Sequence, residues 1–541
     1  MKRIFLFSML FLAFFGLNAV EVNQPELESV GKDTIEFINY TGPHTVINTK
    51  EEISGIGSSL GEKVAPNVAN KYETGDNNKY FVIHAVDSSV TTGLDADILI
   101  LGKNANVDHI KNLRSIISSY LVSAYNYSKD DADTLAVFIT VYNAVYRNDL
   151  DTYKSKYKEV VTNNLTKESC GISVNYKDWA GNTQLVIPLL NPVDGGLSTI
   201  DTTIISDSTV IESMREEDER GVDERKNLVD IKEREADVAQ EEAKDAQKEA
   251  TVAKQEVTKA KEELKQVEEE KQVAEKELEE AKEELAENPT DTKAQEAVKE
   301  AEKKVEEVEE KVDEAVAKVE EKVEEAEKKA EEAKEAQSFA DKKLTEAQTE
   351  RSEIATDQQK NIADAKAEAK MVTTYGLQLV DNSNLLSKLV FLDVETGKIV
   401  KSSPVQVIRN RSIVSTGNGF AAIAGETAGE NQAIRLVILD PENLEIVSQT
   451  EEDVAANAVL VSADNYLYTV VKSTSGYVVA KYSNDLRLQA KSTLKVMETT
   501  PITVTDKGIV VTDSYGAVKL LSKSDLSTIT STETTSYSSA K

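Results

Sequence analysis

Glu283-Glu284-Leu285-Ala286-Glu287-Asn288-Pro289-Thr290-Asp291-Thr292-Lys293-Ala294 is the stretch on which the reading of this chain turns. On both sides of it, from about Ile211 to Met371, the sequence is almost wholly Glu, Lys, Ala, Val, Gln and Asp. Most of these are good helix formers. Proline inside a helix loses a hydrogen bond and clashes with the preceding turn, so the chain turns or kinks between residues 287 and 291. Thr290 or Asp291 then caps a second helix. The two arms are nearly equal, about 75 to 80 residues, or about 115 to 120 Å each if continuous.

An apolar seam decides between a hairpin and two solvated helices. Spaced alternately by four and three residues come Ala246, Ala250, Ala253, Val257, Ala260, Leu264, Val267, Lys271, Ala274, Leu278, Ala281 and Leu285. The second arm repeats the spacing with Ala294, Val298, Ala301, Val305, Val308, Val312, Ala315, Val319, Lys322 and Ala326. That is a coiled-coil period. Folded about Pro289-Thr290, the seams match: Ala281 faces Val298, Leu278 faces Ala301 and Ala260 faces Val319. Lys271 faces Val308 and Lys322 faces Val257, with their stems on the seam and their ammonium groups in water. Exposed Glu–Lys pairs add only about 0.2 to 0.5 kcal/mol each, so the seam dominates. A single charged helix with one kink, or arms that pair between chains as a homo-oligomer, are the alternatives. In a hairpin, the two ends of the chain become neighbours.

The 541 residues carry a net charge of -33 and a sequence pI ≈ 4.7. Such a field repels nucleic acid and anionic headgroups, so neither is expected as a direct partner. Residues 1–19 read as a signal peptide: Lys2 and Arg3, an apolar run from Ile4 to Leu17, then Asn18-Ala19 as a cut site. Retention as an anchor is the alternative. No later stretch is apolar enough to span a bilayer, and the one cysteine, Cys170, excludes an internal disulfide. Export to the periplasm or outer envelope follows.

Residues 20–207 mix strand-like runs (Tyr80 to Ile83, Asp97 to Leu101, Ile172 to Val174, Leu185 to Pro188) with helical patterns over Asp108 to Tyr127, Asp130 to Val145 and Asp151 to Val161. The expectation is an α+β domain. Gly55-Ile56-Gly57-Ser58-Ser59-Leu60-Gly61 has the look of a phosphate loop but lacks the Lys-Ser/Thr ending, and a turn or helix start is the plainer reading. Asp87, Ser89 and Thr91 have the D-x-S-x-T spacing of an adhesion-type magnesium site, which a strand-end turn explains equally. His44, His84 and His109 do not stand at metal-ligand spacing from one another, and Cys170 has no identifiable base beside it. Tyr142, Asn143, Tyr146 and Arg147 could form a polar-aromatic contact patch on a helix, against core packing with a helix cap. No catalytic residues and no cofactor are indicated.

Gly93 to Ile100, Val107-Asp108-His109-Ile110, Asp133 to Arg147 and Lys154-Ser155-Lys156-Tyr157 resemble the spirochaetal 83/100-kilodalton antigen family of Borrelia and Treponema. The order of leader, N-terminal domain, Glu/Lys-rich helical middle and C-terminal domain resembles it as well. The block from Phe138 to Arg147 is the most specific part. The resemblance implies an envelope-associated antigen without an established activity, and no functional residues to carry over.

Residues 373–541 contain four segments that echo one another, LVFLDVETGKIVKSS from Leu389, IRLVILDPENLEIVSQT from Ile434, GYVVAKYSNDLRLQAKST from Gly476 and GAVKLLSKSDLSTITST from Gly516. Each reads as strand, turn, strand, at a propeller-blade period of roughly 40 to 47 residues. The expectation is an all-β, propeller-like domain resembling the quinoprotein-like superfamily, without quinone-binding residues. A partial propeller completed by a second chain, or a β-sandwich, are the alternatives. Together these readings favour a non-enzymatic spacer or scaffold that binds a protein or envelope component. A surface-exposed adhesin, or a magnesium-dependent binder or enzyme in the N-terminal body, are the alternatives.

Overall fold

In the N-terminal region, β-branched and aromatic runs become the inner strands of one antiparallel sheet. The computed structural model describes residues 36–64, 72–76, 79–190, 195–215, 219–368, 371–427 and 432–529. The leader read at residues 1–19 and the tail from residue 530 lie outside the described residues. The sheet has the order β1-β2-β3-β4, with β1 Tyr72–Asp76, β2 Tyr80–Ala85, β3 Asp95–Leu101 and β4 Thr183–Leu189. Seven helices accompany it: α1 Lys50–Gly61, α2 Ile110–Tyr125, α3 Lys129–Val145, α4 Leu150–Lys156, α5 Glu159–Thr162, α6 Thr202–Ile205 and α7 Ser208–Arg215. The apolar residues of α2, Ile110, Leu113, Ile116, Ile117, Tyr120, Leu121 and Ala124, all lie in the core, and Asn112, Arg114, Ser118 and Ser119 are buried with them, so the helix is enclosed nearly all round. This is the expected α+β arrangement.

Two local expectations are corrected. The helix expected over Asp151 to Val161 is two short ones, because Tyr157 turns extended and its neighbour Lys158 hydrogen-bonds through its N–H to the Leu94 carbonyl. Ile172 to Val174 joins no sheet; Ile172 donates to the Asn143 carbonyl and Val174 accepts from Ile38 instead.

The long helices are α8 Val222–Glu287 and α9 Thr292–Glu368, about 100 and 115 Å of continuous helix. The helix does not begin at Ile211 as expected. α7 ends at Arg215, and Arg220 and Gly221 both take φ of 56°, the left-handed region, immediately before α8 starts at Val222. At the tip, residues 288–291 form the turn, and Asp291 Oδ1 accepts the Lys293 N–H at 2.9 Å. The arms are antiparallel and paired. Lys271, expected opposite Val308, puts its ammonium 2.9 Å from Glu309, and Lys322, expected opposite Val257, puts its own 2.7 Å from Glu256. Lys318–Glu263 and Lys329–Glu249 bridge the arms in the same register. Every residue of the predicted seam is buried or half-buried, and the seam continues through Ala239, Ala243, Ala336 and Ala340. The pairing is within one chain, not a single kinked helix.

The C-terminal region is all antiparallel β. Its strands are β5 Thr373–Asp381, β6 Leu386–Asp393, β7 Ile399–Ser402, β8 Ile408–Thr416, β9 Gly419–Ala424, β10 Arg435–Leu439, β11 Ile446–Gln449, β12 Val461–Ala463, β13 Tyr466–Ser473, β14 Gly476–Ser483, β15 Leu488–Lys491, β16 Thr503–Val504, β17 Ile509–Thr512 and β18 Val518–Leu521. Three of the four echoing segments are hairpins, β6-β7, β10-β11 and β14-β15, and the fourth returns from β18 by a single bridge, Leu521 to Thr528; the turns are alike, with the third one residue shorter. In each, the strand-end residue (Asp393, Asp440, Ser483, Ser522) exchanges backbone bonds with the two residues that close the turn. The residue two positions before the chain pairs back is left-handed: Gly397, Leu444, Leu486 and Leu526. Sheet β12-β13-β14-β15 is a four-stranded meander in chain order, as in a propeller blade, and β16-β17-β18 is a shorter one.

No closed ring forms among the described residues, which corrects the propeller expectation to a set of antiparallel sheets. The first two repeats share one sheet of order β11-β10-β9-β8-β6-β5, with β7 also on β6. β7 covers β6 only at Val390 to Leu392, and Ser387 of β6 pairs with Ile408 of β8.

The N- and C-terminal regions belong to one compact unit, and Arg225–Ala355 of the arms form a second. Within the first unit the segment from Tyr40 to His44 joins the two regions. Ala433 donates its N–H to the Pro43 carbonyl at 3.2 Å, and Thr41 Oγ1 donates to the Pro404 carbonyl at 2.9 Å. Gln449 brackets the His44 backbone, donating to its carbonyl at 2.9 Å. Ion pairs Lys177–Glu426 at 3.7 Å and Lys111–Glu445 at 4.0 Å flank the joint.

Candidate functional site

The patch expected at the end of α3 is an interior one. Tyr142 and Asn143 are fully buried, and Tyr146 and Arg147 half-buried. Asn143 acts as a strand-like partner for β4: its Nδ2 donates to the Val186 carbonyl at 2.9 Å and its Oδ1 accepts the Val186 N–H at 2.7 Å. Arg147 spreads its guanidinium over the carbonyls of Glu168, Ser169 and Gly171 at 2.8 to 3.1 Å. Tyr142 and Tyr146 form an aromatic cradle, and the chain fills it with its own Lys156, whose ammonium lies 4.4 Å from the Tyr146 ring centre. Asp207 closes the group, 2.9 Å from Lys156 and accepting the Tyr146 hydroxyl at 2.7 Å. Burial pushes the Tyr142 and Tyr146 hydroxyls above the usual phenol range. The four residues come together, as packing and a helix end rather than as an open face.

Asp87 and Ser89 also come together, as a turn. Asp87 Oδ1 accepts the Ser89 N–H at 2.9 Å and its hydroxyl at 2.6 Å, and these bonds hold the carboxyl below its usual range. The Lys158 ammonium caps the Asp87 carbonyl at 2.8 Å and pairs with Asp95 at 2.8 Å, so a cation of the chain already sits at this strand end. Thr91 is exposed. Among the described residues no three His, Cys, Asp or Glu side chains cluster as a metal site would require. The glycine run 55–61 is neither a loop nor a helix start: it lies inside α1, and Gly57 and Gly61 press on the backbone of α2 at Ile116 and Tyr120.

The histidines are structural in three ways. His44 Nε2 lies 3.1 Å from Asp108 at the joint. His109 caps α2, its Nδ1 accepting the Lys111 N–H at 3.1 Å, and burial depresses its pKa to about 3. His84 belongs to a cluster that the sequence reading missed. Its Nδ1 lies 2.6 Å from Asp97 Oδ1, and the Tyr120 and Tyr125 hydroxyls both donate to Asp97 Oδ2 at 2.5 Å. Every member is fully buried. Three donors on one carboxylate satisfy it in apolar surroundings. The available signal was one polar residue, His84, inside the otherwise apolar run of β2, and Asp97 in the first half of β3; once the two strands pair, His84 stands directly opposite Asp97.

Together the regions describe a coiled-coil protein: an α+β N-terminal region, a helical hairpin and an all-β C-terminal region. The family model for the Borrelia P83/100 protein matches residues 24–502. The chain belongs to that antigen family. No curated protein matches it. No helix among the described residues is long and apolar enough to cross a membrane.

Proposed function

We propose that the chain is a non-enzymatic envelope protein that works in the periplasm as a spacer or scaffold, holding protein or envelope partners through its terminal domains, residues 20–207 and 373–541. The observation that carries this reading is the hairpin. Two helices of 66 and 77 residues are paired along one narrow seam, with charged outer faces. A structure of that kind sets a distance and offers no enclosed chemistry. The side-chain constellations of the N-terminal region support the same reading, since Arg147, Lys156, Lys158 and Asp97 each hold the fold together. The four-segment repeat is the proposed docking body, blade-like in the strand order of β12 to β15.

The test is photo-crosslinking in cells, with the reactive residue placed at Tyr515, which is 95% exposed at the tip between β17 and β18. A discrete envelope partner is expected. Loss of the protein on protease treatment of intact cells would place it on the surface and favour the adhesin reading instead.

A further inference from the structure

Most of the hairpin seam carries no information about register. In the register set by the ion pairs, Ala239, Ala246, Ala253 and Ala260 face Ala340, Ala333, Ala326 and Val319. Sliding one arm by seven residues mostly exchanges small apolar residues for one another. The outer Glu–Lys pairs are exposed and adaptable, so they discriminate weakly as well.

Toward the base, the same seam positions become charged and buried. Arg225, Lys232, Lys343 and Glu350 continue the seven-residue spacing, and Glu235 lies beside them. All five are at least nine-tenths buried. They pair across the arms: Arg225 Nε lies 2.6 Å from Glu350 Oε1, and Lys343 Nζ lies 3.0 Å from Glu235 Oε2. Burial pulls the Lys232 ammonium below its usual pKa, against Glu346 and Glu350, which raise it. Buried ion pairs contribute little net stability, because desolvation offsets the attraction. Their best-attested use in coiled coils is to specify register.

We propose that the pairs Arg225–Glu350 and Glu235–Lys343 are the register lock of the hairpin. The spacing makes the lock two-sided. Lys343 and Glu350 are seven residues apart and opposite in sign. A slip of one heptad in one direction carries Lys343 to the place of Glu350, against Arg225. A slip in the other direction carries Glu350 to the place of Lys343, against Glu235. Each error buries two like charges together, whereas the alanine seam tolerates both. The turn at residues 288–291 lies at the far end of the arms; there a slip in one direction leaves Pro289 at a helix start at small cost, whereas the other draws it into the end of α8 and adds to the penalty.

The test reads register directly in the full chain with Cys170→Ser. Ala260→Cys is combined with either Val319→Cys or Ala326→Cys, and disulfides are trapped under mild oxidation. The parent links 260 to 319 in preference to 326 by about tenfold or more. Glu350→Lys opposes Arg225 in the native register and meets Glu235 one heptad over, so the preference is expected to reverse to 326. An unchanged preference for 319 would assign register to the turn and overturn the proposal. If Glu350→Lys abolishes both links, the double variant Arg225→Glu/Glu350→Arg decides: return of the 260–319 link supports the lock, and failure to return overturns it.

Discussion

At the residue scale, three residues show how local chemistry becomes fold. Gly57 lies in α1 where a Cβ would overlap the Ile116 carbonyl oxygen, so the helix axes approach only because the side chain is absent. Gly57→Ala is expected to destabilise the N-terminal region by about 1 to 3 kcal/mol, read as a lowered denaturation midpoint with unchanged m-value. Asn143 satisfies both the N–H and the carbonyl of Val186, so Asn143→Ala leaves two backbone groups without those partners in the interior. A loss of about 1 to 3 kcal/mol per group follows, while Asn143→Gln fails to rescue because the longer arm misplaces both atoms. His109 accepts a hydrogen bond as a neutral ring, and its folded pKa near 3 lies below the ordinary histidine value. Protonation therefore favours the unfolded chain: the stabilisation is complete above about pH 6.5 and is lost as the pH falls from there toward 3, by up to about 1.4 kcal/mol per pH unit. Comparing the wild type with His109→Asn, which caps without titrating in this range, isolates that slope between pH 7 and pH 4.

At the scale of elements, the four echoing segments of the C-terminal region have similar turns that their sequences only partly announce. Gly397 accepts the left-handed conformation without strain, whereas Leu444, Leu486 and Leu526 adopt it against their Cβ. Burial holds them there, since Leu444 and Leu526 are fully enclosed. Leu444→Ala keeps the strain and loses the core contact, and is expected to cost about 2 to 5 kcal/mol. Leu444→Gly relieves the strain, so in urea unfolding it should fall short of the alanine variant by less than the glycine's own entropy penalty would suggest. The arms follow a different rule. Their exposed cross-arm ion pairs are worth less than about 1 kcal/mol each, so high salt is expected to leave helix content nearly unchanged.

At the scale of the molecule, residues far apart in sequence close one unit. The joint from Tyr40 to His44 ties the N-terminal region to the β-repeat region through backbone bonds at Pro43–Ala433 and side-chain bonds at Thr41 and Gln449. A single proteolytic cut in the exposed tip at residues 288–291 leaves two fragments that each carry one arm and one terminal region. They are expected to co-elute as one species on gel filtration, held by the seam and the joint. Separation in non-denaturing buffer would show that the connection through the tip is what keeps the ends together.

The sequence by itself determined two long helices, the break at Pro289 and the apolar stripe on each arm, because proline's missing donor and a seven-residue spacing are local properties; that the arms pair within one chain was decided by the tertiary structure. It also determined that residues 110–125 are helical and that the C-terminal region repeats strand and turn, since periodicity survives without knowledge of the partner surface. Only the tertiary structure decided that Tyr142 and Asn143 face inward, that glycines 57 and 61 serve a helix contact, and that His84 meets Asp97. Each of those depends on which element packs alongside, and a residue type is the same letter whether its neighbour is water or a strand. The way the repeats join was likewise decided by tertiary pairing: Ser387 of β6 meets Ile408 of β8, which puts the first two repeats in one sheet.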